Sequence, residues 1–129
     1  MNIMPTFGIV RIIDIDGVIF RQLHNDKPTE LEPLPGSVEQ INEWFDDGDL
    51  VVIWTARSPV YAGVTRDQLD SFGVKYHYLL LGKPLSDEIH IYDDKIIISH
   101  KLEMNAGLES LPTECDTFYE HGDLPEEEK

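Results

Sequence analysis

The chain has 129 residues, of which 41% are hydrophobic and 27% charged, a composition that fits one globular domain with a single core. Its formal net charge is −15, from 10 Lys and Arg against 25 Asp and Glu, which disfavours long nucleic acids, because these are bound largely through basic side chains. The sequence has no apolar run of membrane-spanning length, no secretory signal and no second cysteine beside Cys115. We therefore expect a cytoplasmic protein that does not contact a membrane.

The first half of the chain alternates strand and helix patterns. Residues 8–14, GIVRIID, are rich in β-branched side chains and predict a first strand. Residues 35–48 predict a helix, with Ser37 as its N-cap and Gln40 completing a capping box. Residues 50–56, LVVIWTA, form a nearly continuous apolar run, which is typical of a strand buried on both faces.

The alternation continues as far as residue 94. Residues 64–73 predict a second helix, with Thr65 and Gln68 as another capping box. Residues 74–82 and 88–94 predict a third and a fourth strand. Strands and helices joined by short connections favour right-handed βαβ units, so the fold class expected is α/β: a single doubly wound, Rossmann-like parallel sheet with flanking helices.

The C-terminal part is less regular. Beyond Lys95 the pattern fits strand and helix equally, and residues 112–129 are expected to form a loosely ordered acidic tail, which leaves residues 1–111 as the core domain. The acids near the end of the first helix are interpreted as a solvated charge run: Asp46, Asp47 and Asp49. The histidines have no metal-ligand spacing and are interpreted as structural or surface residues: His24, His77, His90, His100 and His121.

Carboxylates follow an apolar strand in the stretch RIIDIDGVIF. Asp14 and Asp16 lie two residues apart, on the same side of the strand, where they repel each other and resist desolvation. In open α/β sheets, functional residues gather at the carboxyl ends of the strands. Further polar residues follow the other predicted strands: Thr55, Lys83, Asp93 and Asp94.

Together these residue types predict a phosphoryl-transfer site. Clustered carboxylates are hard oxygen ligands for Mg²⁺, which would neutralise both the acids and an incoming phosphate. One carboxylate facing phosphorus can act as a nucleophile, and a second can donate and accept the proton. A hydroxyl and an ammonium group can hold the remaining phosphate oxygens.

The sequence resembles the haloacid dehalogenase (HAD) phosphatase superfamily in four short motifs between Ile9 and Lys95. DIDGVIF matches the first motif, DxDG(T/V), and VVIWTAR resembles the second, in which Thr or Ser closes a hydrophobic strand. The lysine of GKP and the paired acids of IHIYDDK resemble the third and fourth. All of them occur in the family's order.

The resemblance implies a role for each acid. Asp14 would be the nucleophile and a metal ligand. Asp16 would be the acid/base and would also bind the metal, through its backbone carbonyl. Asp94 would ligate Mg²⁺, with Asp93 as the other candidate for this role.

The same resemblance assigns the phosphate contacts. Thr55, Ala56 and Lys83 would hold the phosphate, and Lys83 would also restrain the Asp14 carboxylate. Arg57 follows Thr55 at the strand end, where it could contact the substrate or form a salt bridge with a neighbouring acid.

Superfamily members often carry a cap domain over the site. Residues 18–35 leave room here for a flap hairpin only, and residues 58–82 are mostly taken up by a helix and a strand. The chain therefore resembles the capless type, and especially small phosphatases associated with polysaccharide synthesis. The activity implied is Mg²⁺-dependent hydrolysis of a phosphate monoester through an aspartyl-phosphate, on a small substrate such as a sugar phosphate, with a homo-oligomer as a further expectation.

Other functions are weighed against this one. A response-regulator receiver domain also uses acids, Thr and Lys, but it places its lysine last, whereas Lys83 precedes the final acids here. A DxD glycosyltransferase domain is much longer and does not need this lysine. A nucleic-acid end phosphatase or nucleotidase, and a non-catalytic phosphate- or metal-binding module, remain as alternatives.

Overall fold

The computed structural model of the protein describes residues 6–22 and 32–111, and the predicted tail, 112–129, lies outside them. Within these ranges the chain forms one parallel sheet with the strand order β1-β2-β3. The main elements are β1 (Val10–Ile13), α1 (Ser37–Asp46), β2 (Leu50–Trp54), α2 (Ala62–Ser71) and β3 (Tyr78–Leu80). Among the described residues, no helix is long and apolar enough to span a membrane.

Both helices lie on the same face of the sheet. Right-handed crossovers between strands that follow one another in a single direction place their helices on one side. Ile41 and Trp44 of α1 and Leu69 of α2 accordingly join Val51 and Ile53 of β2 in one buried core. The α/β class and the parallel sheet of the prediction are thus confirmed for these strands.

The prediction that β2 is buried on both faces is wrong for this part of the chain. Its side chains alternate between buried (Val51, Ile53) and half-buried (Leu50, Val52, Trp54). The opposite face of the sheet carries apolar side chains that remain exposed: Val10, Ile12, Tyr78 and Leu80. A second helical layer over this face, as a doubly wound sheet requires, does not occur among the described residues.

The start of α1 differs from the predicted capping box. The N-cap is Gly36, in a left-handed conformation with φ 76°, and no side chain caps the helix. Ser37 is already helical, and its hydroxyl lies 2.8 Å from the carbonyl oxygen of Ile19 and 2.9 Å from that of Leu34. Those carbonyls belong to the preceding loop and are buried. The Ser37 hydroxyl therefore donates to them and does not cap the helix.

The capping box predicted for α2 is also wrong. A 3₁₀ turn, Pro59–Tyr61, leads into a helix that begins at Ala62. Thr65 therefore lies one turn inside α2 and is fully buried. Its partner, as shown below, is an arginine at the sheet edge.

The predicted fourth strand is not formed in the described structure. Residues 88–94 have no regular secondary structure, and Ile89 and Ile91 are 85% and 87% exposed. An alternating pattern indicates a side chain's face but does not supply the neighbouring backbone that a strand must pair with.

Asp49 contradicts its interpretation as part of a solvated charge run. It is only 7% exposed, and its carboxylate accepts hydrogen bonds from Arg11 Nε and the Ile9 backbone amide, both at 3.0 Å. The Arg11 guanidinium also lies 4.2 Å from the ring centroid of Trp44. This acid therefore joins the start of β2 to the start of β1.

The segment predicted as a flap has a paired base. Leu34 donates its backbone N–H to the Ile19 carbonyl at 2.8 Å, and Arg21 donates to the Glu32 carbonyl at 3.0 Å. Phe20 and Pro33 form an antiparallel bridge. Residues 23–31, which contain the predicted tip, lie outside the described part.

Candidate active site

The ends of β2 and β3 are connected by backbone hydrogen bonds that fix the residues after each strand. Thr55 donates to the Leu80 carbonyl at 2.8 Å, and Lys83 donates back to the Thr55 carbonyl at 3.0 Å. Gly82 donates to the Arg57 carbonyl at 2.8 Å. The lysine of the third motif is therefore held beside the threonine of the second.

These strand ends open into one pocket of about 570 Å³. Asp14, Ala56 and Lys83 line it together with the following segment, which contains Pro84, Leu85, Ser86, Asp87 and Glu88. Residues from three of the four predicted motifs thus face the same space. That space lies at the carboxyl edge of the sheet, as the parallel topology requires.

The chain leaves β1 in a tight turn beside the pocket. Gly17 has φ 84°, a left-handed conformation that strains other residues, and an added Cβ would lie 3.3 Å from Met104 Cγ. Its carbonyl accepts a hydrogen bond from the Asn105 amide at 2.9 Å. The turn that carries the two acids is therefore covered by a distant part of the chain.

Asp14 is a partly desolvated carboxylate at the pocket wall. Its Oδ1 accepts a hydrogen bond from the Ile15 amide at 2.8 Å. Desolvation by the surrounding protein raises the pKa of Asp14 above its usual range, and the charge of Asp16 raises it further, against the lowering effects of that hydrogen bond and of Lys83 and Arg57. Such a group gains from any cation that reaches it.

Asp16 is held by Arg57. Arg57 Nε lies 3.0 Å from one carboxylate oxygen and Nη2 lies 2.8 Å from the other. Of the two roles considered for Arg57, the salt bridge with a neighbouring acid is the one that the structure contains.

Thr55 is buried, with 1% of its surface exposed. Its hydroxyl oxygen accepts a hydrogen bond from the Arg57 amide at 3.1 Å. That bond leaves the hydroxyl hydrogen free to be donated elsewhere.

Lys83 is paired with a residue of the pocket wall. Its ammonium group lies 2.6 Å from a Glu88 carboxylate oxygen and 4.8 Å from the ring centroid of Trp54. The hydrogen bond from Lys83, with a second contact from His90 at 3.0 Å, holds the pKa of Glu88 below its usual range. The lysine predicted to bind phosphate is therefore neutralised by a carboxylate.

The structure does not bring all four predicted metal ligands together. Within residues 6–22 and 32–111 there is no group of three or more Asp, Glu, His or Cys side chains placed to hold a metal ion. Asp14 and Asp16 are neighbours, but Asp93 and Asp94 do not join them, since the segment that carries them is not paired with the sheet. The first two acids are close enough to affect each other's charge, and the second two do not join them to form a metal site in this arrangement.

Removing the charge of Glu88 is expected to strengthen phosphate binding. In Glu88→Gln, a phosphate ester no longer has to displace a carboxylate from Lys83, so we expect KM to fall roughly two- to fivefold, the scale of a partly exposed ion pair, with kcat little changed. Steady-state kinetics on an aryl phosphate measures both. Asp67→Asn, an equal charge change on an exposed residue of α2, is the control, and a rise in KM for Glu88→Gln would show that Glu88 assists binding instead.

Sequence reasoning missed the residues that surround the motif side chains. The sequence pattern predicts a helix cap for Thr65 and Gln68, yet both accept hydrogen bonds from Arg57. Their spacing of three residues allows either interpretation, because side chains three apart share a helix face. Glu88 was assigned to a strand. The signal in the sequence for the contacts of Thr65 and Gln68 is Arg57 itself, because an arginine that becomes buried needs hydrogen-bond acceptors.

The fold and site define a small α/β protein, whose described residues form a three-stranded parallel sheet with a polar pocket at its carboxyl edge. No protein-family model matches the chain, and no curated protein matches it. Its structure is similar to the crystal structure of an MCSG target from Vibrio cholerae, with a TM-score of 0.52 and 23% sequence identity over 69% of this chain and 83% of that chain. At this identity the similarity concerns the fold alone.

Proposed function

We propose that this protein is a Mg²⁺-dependent phosphatase of the HAD type, which hydrolyses a phosphate monoester through an aspartyl-phosphate. The observation that carries the proposal is the pocket at the carboxyl edge of the sheet, where Asp14 and Lys83 face the same space. A carboxylate and an ammonium group across one pocket are what attack on a phosphate ester needs. The four motifs, in the family's order, support the same conclusion.

The reaction divides into two steps. Asp14 attacks phosphorus, the bond to the leaving oxygen breaks, and Asp16 gives that oxygen a proton. Asp16 then takes a proton from water, which attacks the aspartyl-phosphate and releases inorganic phosphate and free Asp14. Lys83 and the Thr55 hydroxyl would hold the phosphate oxygens during both transfers.

A bound Mg²⁺ would supply positive charge between the acids and the phosphate. Asp14 and the backbone carbonyl of Asp16 would hold it, together with Asp94 or, as the other candidate, Asp93. For Asp94 to take part, residues 88–94 would have to reach the edge of β1. A sheet extended in that direction, with a layer over the exposed face, is the doubly wound HAD-like fold that we propose for the whole core.

The proposed substrate is a small phosphate ester such as a sugar phosphate. The net charge of −15 disfavours long polyanions, because these are bound largely through Lys and Arg side chains on their phosphates. The pocket is open and no cap covers it within the described residues, so another subunit is a proposed source of cover, and we propose a homo-oligomer.

The proposal is tested with a panel of phosphorylated substrates. Purified protein with Mg²⁺ is given an aryl phosphate, sugar phosphates, nucleotides and 3′- or 5′-phosphorylated oligonucleotides, and released phosphate is measured. Turnover that favours sugar phosphates supports the proposal, and preference for oligonucleotides would favour the nucleic-acid end phosphatase. Phosphate binding without release from any member would leave a non-catalytic module.

A further inference from the structure

Arg57 is a charged side chain enclosed by protein. It is 9% exposed as a residue and lies just after β2, in the loop that carries Thr55. An arginine removed from water needs acceptors for its N–H groups. Four of its five guanidinium N–H groups have partners, two on Asp16 and two on α2.

The contact with Asp16 fixes the orientation of that carboxylate. The planar guanidinium donates to both oxygens, at 3.0 and 2.8 Å. Such a two-point contact sets the plane of the carboxylate as well as its position, which a single hydrogen bond does not. Asp16 is therefore not free to rotate about its side chain.

The other side of Arg57 is anchored to α2. Nη1 donates to the Thr65 hydroxyl at 3.1 Å and to the Gln68 amide oxygen at 2.8 Å. Thr65 is fully buried, so this end of the contact is rigid. A guanidinium with one N–H group left cannot also present a pair of donors to a phosphate.

From these contacts we propose that Arg57 is a positioning residue, which holds Asp16 in the orientation needed for proton exchange with the leaving group and water. The inference rests on the proposed function, since it assigns a role within that reaction. It differs from a substrate contact, in which Arg57 would donate to phosphate. It also makes α2 part of the site, through the contacts of Thr65 and Gln68 with Arg57.

The leaving group distinguishes these roles. An alkyl phosphate needs a proton on its departing oxygen, whereas a nitrophenyl phosphate releases a stable anion and hardly needs one. Loss of Arg57 should therefore lower kcat/KM for an alkyl phosphate by roughly 10²-fold, the lower end of the contribution of a general acid. This parameter reports the departure of the leaving group and not the later hydrolysis of the aspartyl-phosphate, which both esters share. Loss of Arg57 should affect the nitrophenyl ester much less.

A double-mutant cycle between Arg57 and Asp16 tests the inference. Arg57→Gln, Asp16→Asn and the double variant are assayed on both esters. If Arg57 acts through Asp16, then Arg57→Gln causes no further loss in the Asp16→Asn background. Gln68→Leu, which removes one anchor but leaves the arginine, should show a smaller loss with the same preference for the nitrophenyl ester, and it serves if Arg57→Gln does not fold.

The control is Arg66→Gln, the same change at an exposed arginine of α2, which should change neither rate. Equal losses of kcat/KM on both esters, a raised KM that persists without Asp16, or additive effects in the cycle would overturn the inference. An inactive wild type would instead overturn the proposed function and the kinetic role with it. In that case urea unfolding of the wild type, the two single variants and the double variant still measures the ion pair between Arg57 and Asp16. The coupling between the two substitutions should correspond to a roughly tenfold change in the unfolding equilibrium constant.

Discussion

Asp14→Asn is expected to lower kcat by at least about 10⁴-fold, the scale of losing a catalytic nucleophile. An amide oxygen neither attacks phosphorus nor binds a divalent cation as a carboxylate does. Asp14 and Lys83 line the same pocket, and no other described carboxylate in the pocket follows the first strand. Phosphate release and trapping of an acid-stable phosphoprotein both measure the loss.

The same substitution is expected to stabilise the fold, which separates a chemical role from a structural one. The pKa of Asp14 is raised in the folded protein, chiefly by desolvation, so its ionised form costs stability above that pKa. Asn removes the cost at neutral pH, and its advantage should shrink as pH falls and the wild-type carboxyl becomes protonated. Urea unfolding at about pH 7 and about pH 4, near the ordinary range of aspartate, measures this. A variant that kept appreciable turnover would show that Asp14 is not the nucleophile.

The positions of five elements could be predicted from the sequence because local patterns determine them. The β-branched run of β1, the apolar stripe of α1 and the glycines that end both helices are all properties of neighbouring residues. Asp14, Ala56 and Lys83 of the pocket could be predicted in the same way, since parallel strands deliver their following residues to one edge.

Other features depend on partners far along the chain. Ser37 and Thr65 both fit helix caps locally, but each faces a buried acceptor or donor supplied by another segment. Asp49 resembles a surface acid until Arg11 is brought against it from 38 residues away. Strand pairing at 88–94 is equally non-local. Each of these misses is a case in which tertiary contacts decide between two local possibilities.

The charges of the site lead to a second large effect. The two cations that act on Asp14 are Lys83 and Arg57, and each is already paired, the first with Glu88 and the second with Asp16. A phosphate ester brings further negative charge into a pocket that also contains Asp87. These pairings leave the ester's charge without compensation, so the phosphate should bind poorly unless a cation accompanies it.

Removal of Mg²⁺ should therefore reduce turnover to background, and restoring Mg²⁺ should recover it. Excess chelator tests the requirement, while calorimetry of Mg²⁺ binding tests the ligands without relying on turnover.

Asp94→Asn should weaken Mg²⁺ binding by at least roughly 10- to 100-fold, since even outer partners of a metal site contribute that much. Asp93→Asn should weaken it less. Asp67→Asn on α2 is the matched control. If Asp94 matters for binding, residues 88–94 must reach Asp14 when the cation is present, because a carboxylate that stays outside the cluster contributes little through water. Full turnover in excess chelator would contradict the metal requirement. If both Asp94→Asn and Asp93→Asn bound Mg²⁺ as tightly as the wild type, residues 88–94 would be excluded from the site.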